Sequence, residues 1–235
     1  MILTATAILL AGDREDLAAA AKKTAELKSY KFTADIEAQG GPGGGQPFSV
    51  EGFHRKEDGT YAKVGDRFEV ARKGDRVAYA DQSGEWKPFE DVQGRARGFV
   101  KEIKSPHEEL PTIDKKFDKL AKDEKCERYD DGDCAVYSGT LSDEGARALV
   151  PMGDQLKKWG DPTVKGTARI YVNSDGAVVR YVIDVELTFD FNGNSFPVAV
   201  SRDVKLSRLD NVQDDLPSAA KEILEKEIPS EDKKE

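Results

Sequence analysis

Most of the residue types on which protein chemistry depends are scarce in this chain. Its 235 residues include only 2 cysteines and 2 histidines. Two cysteines alone cannot close a tetrahedral zinc site. The histidines, His54 and His107, have no metal-ligand partner at helical or hairpin spacing, and Pro106-His107-Glu108-Glu109 lacks the second histidine of a zincin helix. No serine sits in a G-x-S-x-G elbow, and the run from Gly40 to Gln46 lacks the Lys-Ser/Thr that would let a glycine loop cradle phosphate. Neither catalysis nor a cofactor or metal is therefore expected. Acidic residues are numerous enough to offer a carboxylate pair for glycoside chemistry, but they fall on the water-facing register of the predicted strands and read as solvated surface. Positive charge is also in deficit: 36 Lys+Arg against 45 Asp+Glu gives −9 at neutral pH. A general phosphate-binding surface, and with it nucleic acid, is excluded from the expected partners. Long apolar runs are missing too; Met1 to Gly12 is about half of the ~20 residues that a membrane-spanning helix requires.

That run matches the apolar part of a secretory signal, with Ala5-Thr6-Ala7 or Leu10-Ala11-Gly12 as a small-residue cleavage site, although no basic stretch precedes it. A short buried N-terminal helix or strand is the alternative. Leu10-Ala11-Gly12 would also open a lipobox, but Asp13 stands where a lipidated cysteine is needed, so no acyl anchor is expected. Cys126 and Cys134 flank Asp131-Gly132, a hairpin-turn signal, so the two thiols can face each other on paired strands. A Cys126–Cys134 disulfide is expected, with two free thiols as the alternative. A local pair beside a secretory signal fits an oxidising, extracytoplasmic compartment, periplasmic or secreted.

What is present is enough to fold. Hydrophobic residues make up 38% and charged ones 34%, a polar balance that still leaves ample Phe, Tyr, Val and Ile for one core. Asp13 to Ser29 reads as an amphipathic helix through Leu17, Ala20, Ala21, Thr24 and Leu27. Strand alternation follows in Tyr30, Phe32, Ala34, Ile36 and Ala38, and shorter strands around Phe48, Tyr61 to Val64, Phe68 and Val77, punctuated by glycine turns, predict an antiparallel meander. After Ser105-Pro106 the spacing of Leu110, Ile113, Phe117 and Leu120 predicts a helix, and Ser142 to Val150 a second, capped one. The strongest alternation, Val179 to Phe191, predicts a long strand between Val164 to Val172 and Phe196 to Leu206. Pro217 to Ile228 reads as a closing helix. With no linker or break in composition, 13–228 is one domain between a 1–12 signal remnant and a charged 229–235 tail.

One position breaks its own register. Arg202 falls on the inward side of Phe196-Val198-Val200-Arg202-Val204-Leu206, where a charge must be paired, solvated or near a rim. It is either a cationic handle for an anionic headgroup, or a latch to an acidic loop residue, or a bulge that returns it to water.

Three stretches carry a family resemblance: Leu17 to Tyr30 running into Lys31-Phe32-Thr33-Ala34-Asp35-Ile36, the element Cys126 to Leu141, and Gly166 to Val172 with Asp175-Gly176. With the order helix, meander, inserted helices, long-stranded half and final helix, the chain resembles the LolA/LppX-like superfamily of bacterial extracytoplasmic lipoprotein and lipid carriers. The resemblance implies an α+β fold in which a curved antiparallel sheet forms an incomplete, half-open β-barrel with helices covering the concave face. It implies an apolar cavity for lipid or lipoprotein acyl chains, walled by Phe32, Ala34, Ile36, Phe48, Val50, Phe68, Val70, Val77 and Tyr79 from the first half and by Ile183, Val185, Leu187, Phe189, Val198, Val200 and Arg202 from the second. The same residues would equally make a filled core. The expected function is that of a non-enzymatic, monomeric carrier with envelope membrane-protein partners; the alternative is a protein-interaction or sensory module without a ligand cavity.

Overall fold

The computed structural model describes residues 3–40, 46–94, 97–98, 100, 104–129, 132–150, 162–191 and 194–226, with backbone alone for 3–11 and 191. Residues 41–45 of the glycine run, the last two residues of the expected closing helix (227–228) and the 229–235 tail lie outside the described residues.

Alternation of apolar and polar residues builds a single antiparallel sheet. Its first meander comprises β1 (Ser29–Gly40), β2 (Phe48–Arg55), β3 (Gly59–Val64), β4 (Phe68–Lys73), β5 (Arg76–Asp81) and β6 (Trp86–Pro88). The second comprises β7 (Phe117–Lys122), β8 (Glu127–Tyr129), β9 (Gly132–Leu141), β10 (Thr163–Val172), β11 (Val178–Phe191) and β12 (Asn194–Ser207). The strand order is β6-β5-β4-β3-β2-β1-β12-β11-β10-β9-β7, with β8 paired to β9 off that path. The last strand thus returns beside the first, and the β1–β12 seam joins the two meanders. The sheet is curved and not closed: β6 and β7 remain its edges. In β1, Phe32, Ala34 and Ile36 are buried and Thr33, Asp35 and Glu37 exposed; in β11, Tyr181, Ile183, Val185 and Leu187 are buried while Asp184 and Glu186 face water. The period of two selects one face for the core.

Helices cover that face. They are α1 (Leu3–Ala25), α2 (Pro106–Glu109), a 3-10 turn over Leu110–Lys116, and α3 (Asp143–Leu149). Leu17, Ala21, Leu110, Ile113, Ala146 and Leu149 share one core with Phe32, Ile36, Ile183 and Val185. The Ser142 hydroxyl caps α3 by accepting the Gly145 N–H at 3.0 Å. α1 is continuous across residues 12 and 13, and past that point the Arg14 guanidinium donates to the carbonyls of Asp114 and Phe117. Among the described residues no helix is long and apolar enough to cross a membrane. α4 (Ser218–Glu225) packs on the opposite face of the first meander, where Phe53, Ala71 and Ala78 meet Leu216, Ala220 and Leu224.

Two sequence expectations are corrected here. Phe117 and Leu120 do not continue a helix; they lie in β7. A bulge shifts the β7–β9 register between Phe117 and Lys119, so two residues three apart both face inward and imitate helical spacing. The expected Cys126–Cys134 disulfide is not formed: Cys126 is exposed and Cys134 buried. Glu127 pairs with Cys134 and Tyr129 with Gly132. In that register Cys126 comes opposite Ala135, and alternation turns it to the other face of the ribbon from Cys134.

Candidate functional site: the seat of residues 105–116

The segment that plugs the concave face is locally determined. Ser105 and Glu108 form a capping box, the Ser105 N–H donating to Glu108 Oε2 at 2.8 Å and its hydroxyl to the same oxygen at 2.7 Å, with Pro106 in the first turn. Pro111 brings no N–H, and the chain tightens to 3-10 over Leu110–Lys116. Three residues per turn stack Leu110 and Ile113 on one side, and both are fully buried.

Three consecutive side chains of α2 then reach three parts of the sheet. His107 meets β1 and β2: its Nδ1 lies 2.9 Å from the Tyr30 hydroxyl, which also accepts the His107 N–H, and its ring lies against His54 with centroids 3.9 Å apart and planes tilted by 31°. His54 Nδ1 is in turn 3.0 Å from Thr60 Oγ1. Glu108 faces β4, with Arg72 Nη1 3.7 Å away; Arg72 also donates to the Val100 carbonyl. Glu109 reaches β11 and β12: Arg202 Nη1 donates to its Oε1 at 2.6 Å and the Tyr181 hydroxyl to its Oε2 at 2.7 Å.

Burial sets the electrostatics of this seat. It pushes His54 down to about 4, assisted by the neighbouring His107, and lowers His107 as well, so both rings are neutral at pH 7. Burial alone would raise the Glu108 carboxyl, but the Ser105 N–H and hydroxyl, Arg72 and His107 outweigh it and hold the group below its usual range. Burial likewise opposes the Arg202 charge, and Glu109 overcomes it, keeping the guanidinium ionised. Tyr181 is held protonated, by burial first and then by the Glu109 charge.

Beside Glu109 and Arg202 the described residues enclose a cavity of about 70 Å³. Phe32, Ala34, Ile36, Phe48, Val50, Phe68 and Arg202, all expected at a cavity wall, line it together with Val64, Lys104, Leu149 and Val150. Ile183, Val185 and Leu187 are packed in the main core instead, with Phe189, Val198 and Val200 half-buried at its margin. Val70 is buried beside Arg72, in a space with room for a single water, and Val77 and Tyr79 are half-buried. Arg202 occupies the inward register between Ile36 and Ile183, as a latch to an acidic residue. Sequence reading missed His54, Arg72, Glu108, Glu109 and Tyr181. The criterion that exposed Arg202 applies to two of them: His54 follows Val50 and Gly52, and Arg72 follows Phe68 and Val70, each a polar group in an inward register.

No family model and no curated protein matches the sequence. Solved structures do. LprF from Mycobacterium bovis is 14% identical over 89% of this chain and 98% of its own, with a TM-score of 0.52. The LolA superfamily protein NE2245 from Nitrosomonas europaea (10% identity, 87% of this chain and 94% of that one) has a TM-score of 0.30. A DUF1329 family protein from Desulfovibrio piger (12% identity, 90% and 96%) has one of 0.31, and neither superposes closely enough to carry weight. What is shared with LprF is the fold.

Proposed function

We propose that the chain is a non-enzymatic, extracytoplasmic carrier that shields acyl chains of a lipid or lipoprotein between the sheet and its helical cover. The observation that carries this reading is the plug itself. A segment of one short helix and a 3-10 turn, tied to the sheet through polar side chains, lies beside α1 over a wall of Phe, Val, Ile and Ala side chains. A cavity of about 70 Å³ has room for a few waters, far below the ~300 Å³ at which ligand pockets begin. On this reading the described arrangement is the closed state of the carrier, and loading requires residues 105–116 to move. Each methylene then buried would contribute about 0.8 kcal/mol. The small cavity also favours a second reading, a protein-interaction module with a filled core. Mass spectrometry of organic extracts from envelope-expressed protein, purified without detergent, separates the two. A stoichiometric lipid is expected; a lipid-free extract together with no uptake of a fluorescent fatty acid would leave only the interaction module.

A further inference from the structure

The Glu109–Arg202 contact is incomplete in a way that points outward from the protein. A guanidinium and a carboxylate frequently form two parallel bonds. Here only Nη1 of Arg202 reaches Glu109, at 2.6 Å. Arg202 Nε is buried and has no hydrogen-bond partner among the described residues, an arrangement that leaves a charged group's donor desolvated without return. The Tyr181 hydroxyl donates to the second Glu109 oxygen rather than to a neutral acceptor. Arg202 and Tyr181 together thus form a cradle with more donors than Glu109 uses.

The surroundings match an amphiphile. Along the cavity wall the charged groups among the described residues are Arg202, Lys104 and Glu109, two cations against one carboxylate. The remainder of the wall is apolar, including Phe32, Ile36, Phe48 and Val50. A ligand seated here would place an anion at Arg202 and a hydrocarbon chain along β1 and β2.

Resting on the carrier reading above, we propose that the cargo has an anionic head, a carboxylate or phosphate, which replaces Glu109 on Arg202 and thereby releases residues 105–116 from the sheet. The exchange avoids the main obstacle to opening a buried ion pair, because Arg202 is never left without an anion and Glu109 gains water as it leaves. Its mechanical consequence follows from the chain. Glu109 is the last residue of α2 and adjoins Leu110, so its departure draws Leu110 and Ile113 from the core and uncovers apolar wall for the acyl chain. The Arg72–Glu108 contact would serve less well as the receptor, since Glu108 is already committed to the Ser105 cap.

The test is a titration of the detergent-free full chain with palmitate, hexadecyl phosphate and the uncharged hexadecanol, with acetate and inorganic phosphate as chainless anions. Palmitate or hexadecyl phosphate is expected to bind about ten- to a hundredfold tighter than hexadecanol, the range of a charge-assisted hydrogen bond. Glu109→Gln should tighten the anionic ligands by removing their competitor. The double variant Arg202→Gln/Glu109→Gln, which strands no buried charge, should erase the preference while keeping hexadecanol binding. Amide exchange within residues 105–116 should rise with palmitate and not with hexadecanol. Equal binding of all three chains would overturn the head-group exchange and leave the carrier reading standing. Binding of acetate or phosphate as tight as that of the chain-bearing anions would show a plain anion site and overturn the amphiphile. Binding of none would overturn the carrier reading and this inference with it.

Discussion

The two sides of the seat, toward β12 and toward β4, hold α2 by the same chemistry in different surroundings. At the β12 end, Glu109 and Arg202 have side chains 6% and 12% exposed, at 2.6 Å. At the β4 end, Glu108 and Arg72 are 37% and 18% exposed, at 3.7 Å. Neighbouring residues of a helix project about 100° apart, so two adjacent carboxylates reach different strands of the sheet, β4 and β12. Solvent then decides what each is worth. A buried pair is costly to break and cheap to exchange, whereas a screened pair can be lost with little effect. On the exchange proposed above, the buried carboxylate decides whether the cover can leave, and the screened one contributes little to holding it.

The sharpest way to break this comparison is to remove one partner at the buried end. Arg202→Met leaves the buried Glu109 carboxylate without its cation, and is expected to cost about 3–5 kcal/mol in urea unfolding. Adding Glu109→Gln keeps an acceptor for Tyr181 and should restore most of that loss. A single variant as stable as the parent would show that the buried end is no latch.

Acid should loosen the histidine contact of α2 with β1 and β2. His54 is pushed down to about 4, against an ordinary value of about 6.5, so between those limits the unfolded chain binds more protons than the native one. Stability is therefore unaffected above pH 6.5, falls as pH drops through the window, and levels off near 4; the total loss is up to about 3 kcal/mol. The lowered His107 adds in the same direction. Glu108 attracts the proton while Lys56 and the second ring oppose it, with Tyr30, Thr60 and Ser105 as neutral neighbours. Urea midpoints at pH 7.5, 6, 5 and 4 measure the slope, and His54→Phe, which keeps a stacking ring without its charge, should flatten most of it.

Sheet strands were legible because each half-buried strand writes its own alternation, as in Phe32-Ala34-Ile36 and Tyr181-Ile183-Val185. The inward placement of Arg202 was legible for the same reason. Its partner was not, because Glu109 is 93 residues away on a helix too short to have a period. Phe117 and Leu120 misled, since a bulge makes a strand repeat at three. The back-face core was hidden by its own composition: Ala71 and Ala78 are small so that α4 can lie close, and small residues give a weak apolar signal. The cysteine pair failed on register, where one residue of offset reverses a side chain.

The smallest expected effect tests the exposed end. Glu108→Gln removes the charge facing Arg72 but keeps an oxygen for the Ser105 N–H and hydroxyl, so the capping box survives. Only the screened attraction is lost, and the expected cost is under about 1 kcal/mol. Arg72 keeps its bond to the Val100 carbonyl, which fixes the guanidinium without help from Glu108. The contrast is read as a ratio: Arg202→Met should lower the urea midpoint several times further than Glu108→Gln. Comparable losses would mean that Arg72 is as dependent on its carboxylate as Arg202. Both ends would then be latches, and the cover would have to leave as a unit.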